Sequence, residues 1–164
     1  EINLLRDYTR IKHRLNFTEF DFGTVNDNGD SCYYGDPLME SLLLNKTKLM
    51  EKETGKELWP TYAFWRMYVQ NSNLKLHKDR PACEISVTVA IGNDGSCDWP
   101  IFMEGTPVNL DPGDAVIYQG CELKHWREEY KGDWFAQTFL HYVDKNGPNA
   151  EWKMDKRPIF GIVQ

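Results

Sequence analysis

At 164 residues the chain suits one domain, spanning 1–164, and hardly two; folding at this length buries roughly 70% of the unfolded surface, enough for a real core. Hydrophobic residues make up 41% and charged residues 27%, the balance of a soluble globular protein. A formal net charge of −6 argues against non-specific binding to nucleic acid or to an anionic membrane.

In chain order, Phe17 to Val25 alternates loosely and reads as an edge strand. Asp36 to Thr54 is the one clear helix: Asp36 caps it, Pro37 takes the first helical position and Gly55 ends it. Leu38, Leu42 and Leu49 fall near one face with Met39, Leu43 and Met50 beside them, so the helix is expected to pack on a sheet. Beyond Pro60 the pattern turns to strands. Thr61–Gln70 is aromatic-rich, and Leu74–Asp79 follows a turn at Asn71-Ser72-Asn73. Ile85, Val87, Val89 and Ile91 alternate with smaller or polar residues, as in a half-buried strand. Short strands at Trp99–Met103, Val108–Leu110 and Ala115–Tyr118, and a longer one at Trp134–Val143, complete the series. Many short strands at close turn spacing imply a β-sandwich or barrel with supporting helices.

Cys32, Cys83, Cys97 and Cys121 form no CxxC pair and no common zinc spacing, so reduced thiols in a cytoplasmic protein are expected. The first residues do not resemble a signal peptide. No apolar run approaches the ~18–20 residues of a membrane span.

The chemistry-bearing constellation is His77, Asp79 and His125. In extended backbone His77 and Asp79, at i and i+2, point to one face, so both can reach one metal ion. About four strands separate Asp79 from His125, enough to cross a small barrel and return to the same mouth. Two imidazoles and one carboxylate leave coordination positions open, the ligand set of non-haem Fe(II) oxygenases.

With His77-Lys78-Asp79, the turn and strand Pro112-Gly113-Asp114-Ala115-Val116, and His125, the sequence resembles the Fe(II)- and 2-oxoglutarate-dependent dioxygenase superfamily, in particular its small prolyl-4-hydroxylase-like members. The resemblance covers roughly residues 60 to 145. It implies a double-stranded β-helix, or jelly roll, with helices outside. It implies Fe(II) on His77, Asp79 and His125, with 2-oxoglutarate as cosubstrate and O2 as oxidant, and hydroxylation of a peptidyl, amino-acid or other small substrate. The carboxylate at Asp79 favours hydroxylation over halogenation, because halogenating relatives leave that position to halide. Tyr68 stands where similar enzymes place a tyrosine on 2-oxoglutarate.

Relatives bind the distal carboxylate of 2-oxoglutarate with an Arg or Lys roughly ten residues past the second histidine. Here Asp133-Trp134-Phe135-Ala136-Gln137-Thr138 offers no base. Arg66, two residues before Tyr68, and Arg127, two after His125, are the leading substitutes; Arg80 should point away and Lys131 sits in a loop. Gln137 supplies a hydrogen-bonding group from the strand that normally carries the base. His141 reads as a structural histidine, and Trp99, Trp126 and Trp134 as core. The competing readings are a metal-binding jelly-roll module without turnover and a cupin-type metalloenzyme without 2-oxoglutarate.

Overall fold

The computed structural model describes residues 1–17 and 24–162. Helix α1 (Ile2–Leu15) opens the chain, an element not assigned from the sequence. It lacks a side-chain N-cap, and only Leu5 and Thr9 are buried while Leu4 and Ile11 face solvent; its apolar residues do recur at helical spacing, at Leu4, Tyr8, Ile11 and Leu15. Of the edge strand expected over Phe17–Val25, residues 18–23 lie outside the described residues. Thr24–Val25 forms the short strand β1, paired with β2 (Ser31–Tyr34).

Helix α2 (Pro37–Thr54) follows its punctuation. The Asp36 carboxylate accepts from the backbone N–H groups of Leu38 and Met39, and Gly55 adopts φ 68°, the left-handed conformation that closes a helix. Its buried stripe is Met39, Leu43 and Met50. Leu38 and Leu42 are half-buried, and Leu49, expected on the packed face, is exposed.

The strands β3 (Leu58–Val69), β5 (Ile85–Asn93), β8 (Ala115–Tyr118) and β10 (Trp134–Asp144) join β1 and β2 in a six-stranded antiparallel sheet ordered β1-β2-β3-β10-β5-β8. β3 starts before Pro60 rather than after it; Pro60 pairs with Tyr142 beside a register shift, where a missing backbone N–H is tolerated. A second sheet, ordered β4-β9-β6-β7, contains β4 (Leu74–His77), β6 (Ile101–Met103), β7 (Thr106–Val108) and β9 (His125–Arg127). The β6–β7 hairpin turns at Glu104-Gly105, both at positive φ, which pulls β7 earlier than the expected Val108–Leu110. Strand β9 is three residues long, too short to announce itself. The tail, silent in sequence, forms 3₁₀ turns within Ala150–Lys156 that are broken by a kink at Lys153, Met154 and Asp155.

Side-chain parity divides β3 between two environments. Ala63, Trp65 and Met67 join Met39, Leu43 and Leu140 in the core between the large sheet and the helices. Tyr62, Phe64, Arg66 and Tyr68 point the other way, into a cavity that His77 and His125 of the small sheet also line. The two sheets thus enclose the residues singled out for chemistry.

Candidate metal centre

β4 and β9 run antiparallel with His77 directly opposite His125, so the ladder sets the two imidazoles side by side with ring centroids 4.2 Å apart. Each Nδ1 is hydrogen-bonded to the carbonyl two residues earlier in its own chain: His77 to Lys75 O at 2.7 Å and His125 to Leu123 O at 3.0 Å. Each carbonyl holds a proton on Nδ1, so Nε2 is the nitrogen whose lone pair a metal would take once its own proton leaves. Both Nε2 atoms converge on Asp79 Oδ1, at 3.4 and 3.5 Å.

The strand expected through Asp79 stops at His77. Asp79 keeps its place because its N–H donates to Gly120 O at 2.9 Å. Burial alone would raise its carboxyl pKa, but hydrogen bonds from His125 and His77 outweigh that and hold it well below the usual carboxylate range. The bond to Asp79 raises His77 above the ordinary imidazole value. The ligand atoms of His77, Asp79 and His125 lie within 4.8 Å of one another, so the donor set fits a divalent cation such as Fe(II).

Behind this trio sits a hub that sequence reasoning missed. Ser86 Oγ lies 3.4 Å from Asp79 Oδ2, 3.1 Å from the Cys83 carbonyl and 2.8 Å from His141 Nδ1. His141, read as structural, is hydrogen-bonded but also lines the cavity, and burial lowers its pKa to about 4. Parity on β10 was the available signal: Gln137, Phe139 and His141 alternate with the helix-facing Ala136 and Leu140.

The two leading cations occupy different places. Arg66 lines the cavity beside Tyr68, its guanidinium 4.2 Å from that ring. Its Nε and Nη2 are already bound to the fully buried Asp30. Arg127 is 2% exposed and lies deeper, donating to Trp99 O and, at 3.1 Å, to Gln137 Oε1. It packs against the Trp99 and Phe135 rings with no carboxylate partner among the described residues, and burial lowers its pKa to about 10. Arg127 Nε and Tyr68 Oη are both buried without a hydrogen-bond partner. Such orphaned groups are costly unless a ligand satisfies them. Arg80 does turn away, onto Asp155, and Lys131 pairs with Glu129. Trp99 is buried in the core, Trp126 stacks on Phe102 and Trp134 packs under Arg10.

No protein-family model matches the sequence, and no curated protein is similar enough to count as a relative. Solved structures are similar in fold. The non-haem α-ketoglutarate-dependent carbocyclase SnoK from nogalamycin biosynthesis superposes with a TM-score of 0.67 at 12% identity, over 87% of this chain and 74% of its own. EctD from S. alaskensis, solved with 2-oxoglutarate and 5-hydroxyectoine, gives 0.66 at 13% identity over 95% and 75%. A prolyl-4-hydroxylase from Pseudomonas putida gives 0.61 at 13% identity over 88% of both chains. The chain has the double-stranded β-helix fold of these oxygenases.

Proposed function

We propose that residues 1–164 form a single catalytic domain, an Fe(II)- and 2-oxoglutarate-dependent dioxygenase that hydroxylates a small substrate. The observation that carries this reading is the convergence of two Nε2 atoms, freed for metal by their Nδ1 bonds, on Asp79 Oδ1 inside an oxygenase fold. His77, His125 and Asp79 would hold Fe(II) and leave three positions open. Bound iron and cosubstrate supply oxidising chemistry in which O2, 2-oxoglutarate and a substrate C–H yield succinate, CO2 and the hydroxylated product. The protein's part is to hold, orient and exclude water. Lys75 O and Leu123 O keep the imidazoles in their binding tautomer, and Ser86 steadies Asp79.

Arg127, with Tyr68 and Gln137, is the seat we assign to the distal carboxylate of 2-oxoglutarate. A buried guanidinium lacking a carboxylate, beside an orphaned phenol, is the partner such an anion needs. A second reading gives that role to Arg66, because Arg66 itself lines the cavity. The two separate on substitution. Arg127→Leu is expected to weaken 2-oxoglutarate binding tenfold or more, as loss of a hydrogen bond to a charged group implies; the same loss in Arg66→Leu alone would favour the second reading. We also propose a reducing, cytoplasmic setting, supported by the unpaired thiols of Cys32, Cys83, Cys97 and Cys121.

Anaerobic protein given Fe(II) and 2-oxoglutarate should show the weak visible charge-transfer band of the chelate and, under air, release succinate. His77→Ala and His125→Ala should lose stoichiometric iron. Iron binding with neither band nor succinate would turn the assignment to a metal-binding module or a metalloenzyme independent of 2-oxoglutarate.

A further inference from the structure

A groove of about 570 Å³ opens beside the metal centre. It shares Arg66, Leu74 and His77 with the inner cavity, so the groove adjoins the candidate metal centre. Its volume falls within the range of small-molecule sites. Its lining is polar: Asn26, Asp27 and Asn28 come from the β1–β2 hairpin, and Asn73 and Lys75 from the segment that enters β4.

The groove is built rather than incidental. The hairpin tip is folded by Asn26, whose Oδ1 accepts from the N–H groups of Asn28 and Asp30. Asn26 Nδ2 in turn donates to Asp30 Oδ2 at 3.0 Å. Asp30, fully buried, also grips Arg66 and accepts from Val69 N and Ser72 Oγ. One carboxylate therefore joins the hairpin wall to the β3 floor.

Charge is divided across this frame. Arg66 is balanced by Asp30, so it contributes a fixed donor but little net charge. That leaves Asp27 on the hairpin and Lys75 in β4. Neither side chain makes a hydrogen bond or ion pair with another described residue, nor does Asn73. Among the described residues the lining thus carries one unpaired charge of each sign, on two separate segments of the chain, which complements a ligand carrying both charges at its two ends.

Resting on the oxygenase reading, we propose that this groove seats the substrate and that the substrate is a zwitterion of amino-acid to dipeptide size, its ammonium toward Asp27 and its carboxylate toward Lys75. An interior segment of a protein carries neither terminal charge and does not match.

The test is a binding measurement. Ligand-observed NMR on the full chain, loaded anaerobically with Fe(II) and 2-oxoglutarate, is run with free L-amino acids and dipeptides, their N-acetyl and carboxamide derivatives, and neutral sugars. At least one zwitterion should bind, with each derivative at least tenfold weaker. Lys75→Glu and Asp27→Lys should each weaken it tenfold or more, and the charge-swapped double variant should recover most of the loss. Both positions are exposed, and circular dichroism checks each fold. Binding of a derivative as tight as its parent, a double variant no better than the singles, preference for a sugar, or no binding by any zwitterion overturns the proposal. The chelate band in the same samples keeps that failure distinct from failure of the oxygenase reading.

Discussion

A Cβ on Gly120 would stand 2.3 Å from Asp79 Oδ2 and 2.4 Å from the Cys83 carbonyl, both far inside van der Waals contact. The close approach lets Gly120 O receive the Asp79 N–H. Gly120→Ala must therefore displace the carboxylate, and iron affinity is expected to fall tenfold or more in a titration. Thermal unfolding should register an overpacking cost of about 1–3 kcal/mol. His141 yields a pH prediction. Its folded pKa of about 4 lies below the ordinary 6.5, so the unfolded chain binds more protons between these values. Stability is thus complete above 6.5 and is lost as pH falls toward 4, by about 3 kcal/mol in all. Denaturant melts of wild type and His141→Gln should diverge in that window; parallel curves would refute the assignment. The grouping of His77, Asp79 and His125 was legible from the i, i+2 spacing together with the resemblance, although β4 ends at His77 and the Asp79 N–H bond to Gly120 O, not strand parity, places the carboxylate. Ser86 and Gly120 were not, since their roles arise where separate segments meet and neither residue type signals a site. Arg127 was legible as a candidate, but its burial without an acid was not.

The elements divide by how loudly their ends speak. α2 was readable to the residue because cap, first-turn proline and left-handed glycine agree. Asp36 does more than cap: its Oδ2 accepts from Tyr8 Oη at 2.5 Å, tying α1 to α2. Asp36→Ala should cost about 1–2 kcal/mol in a urea melt, the range of a lost N-cap. β5 and β10 announced themselves by length and alternation. α1 has a helical stripe in Leu4, Tyr8, Ile11 and Leu15 but no capping residue to mark its start, and sequence reasoning missed it. β9 is legible only through its partners, since its three residues gain strand character by pairing with β4 and β6.

Across the whole molecule, the segment after β10 is drawn back onto α2 and β3. Arg157 donates to Glu40 Oε1 and to Thr61 O, and the Glu40 and Arg157 side chains are 2% and 0% exposed. Removing one member strands a buried charge, so Glu40→Ala should lose about 3–5 kcal/mol, with Glu40→Leu/Arg157→Met recovering much of it. Denaturant unfolding of the three proteins measures this directly. A sandwich or barrel was legible from strand spacing and the jelly roll from the resemblance, whereas this closure was not: the separation of Glu40 from Arg157 leaves no local trace.

Lys75 takes part in two of these arrangements through different atoms. Its backbone carbonyl orients His77, while its side chain reaches into the groove. Every residue type has the same carbonyl, so position 75 can change without cost to the tautomer of the neighbouring imidazole. If the groove seats the substrate as proposed, metal retention and ligand preference divide between the backbone and the side chain of one residue. Variants at 75 form a natural library for redirecting selectivity while the centre stays loaded.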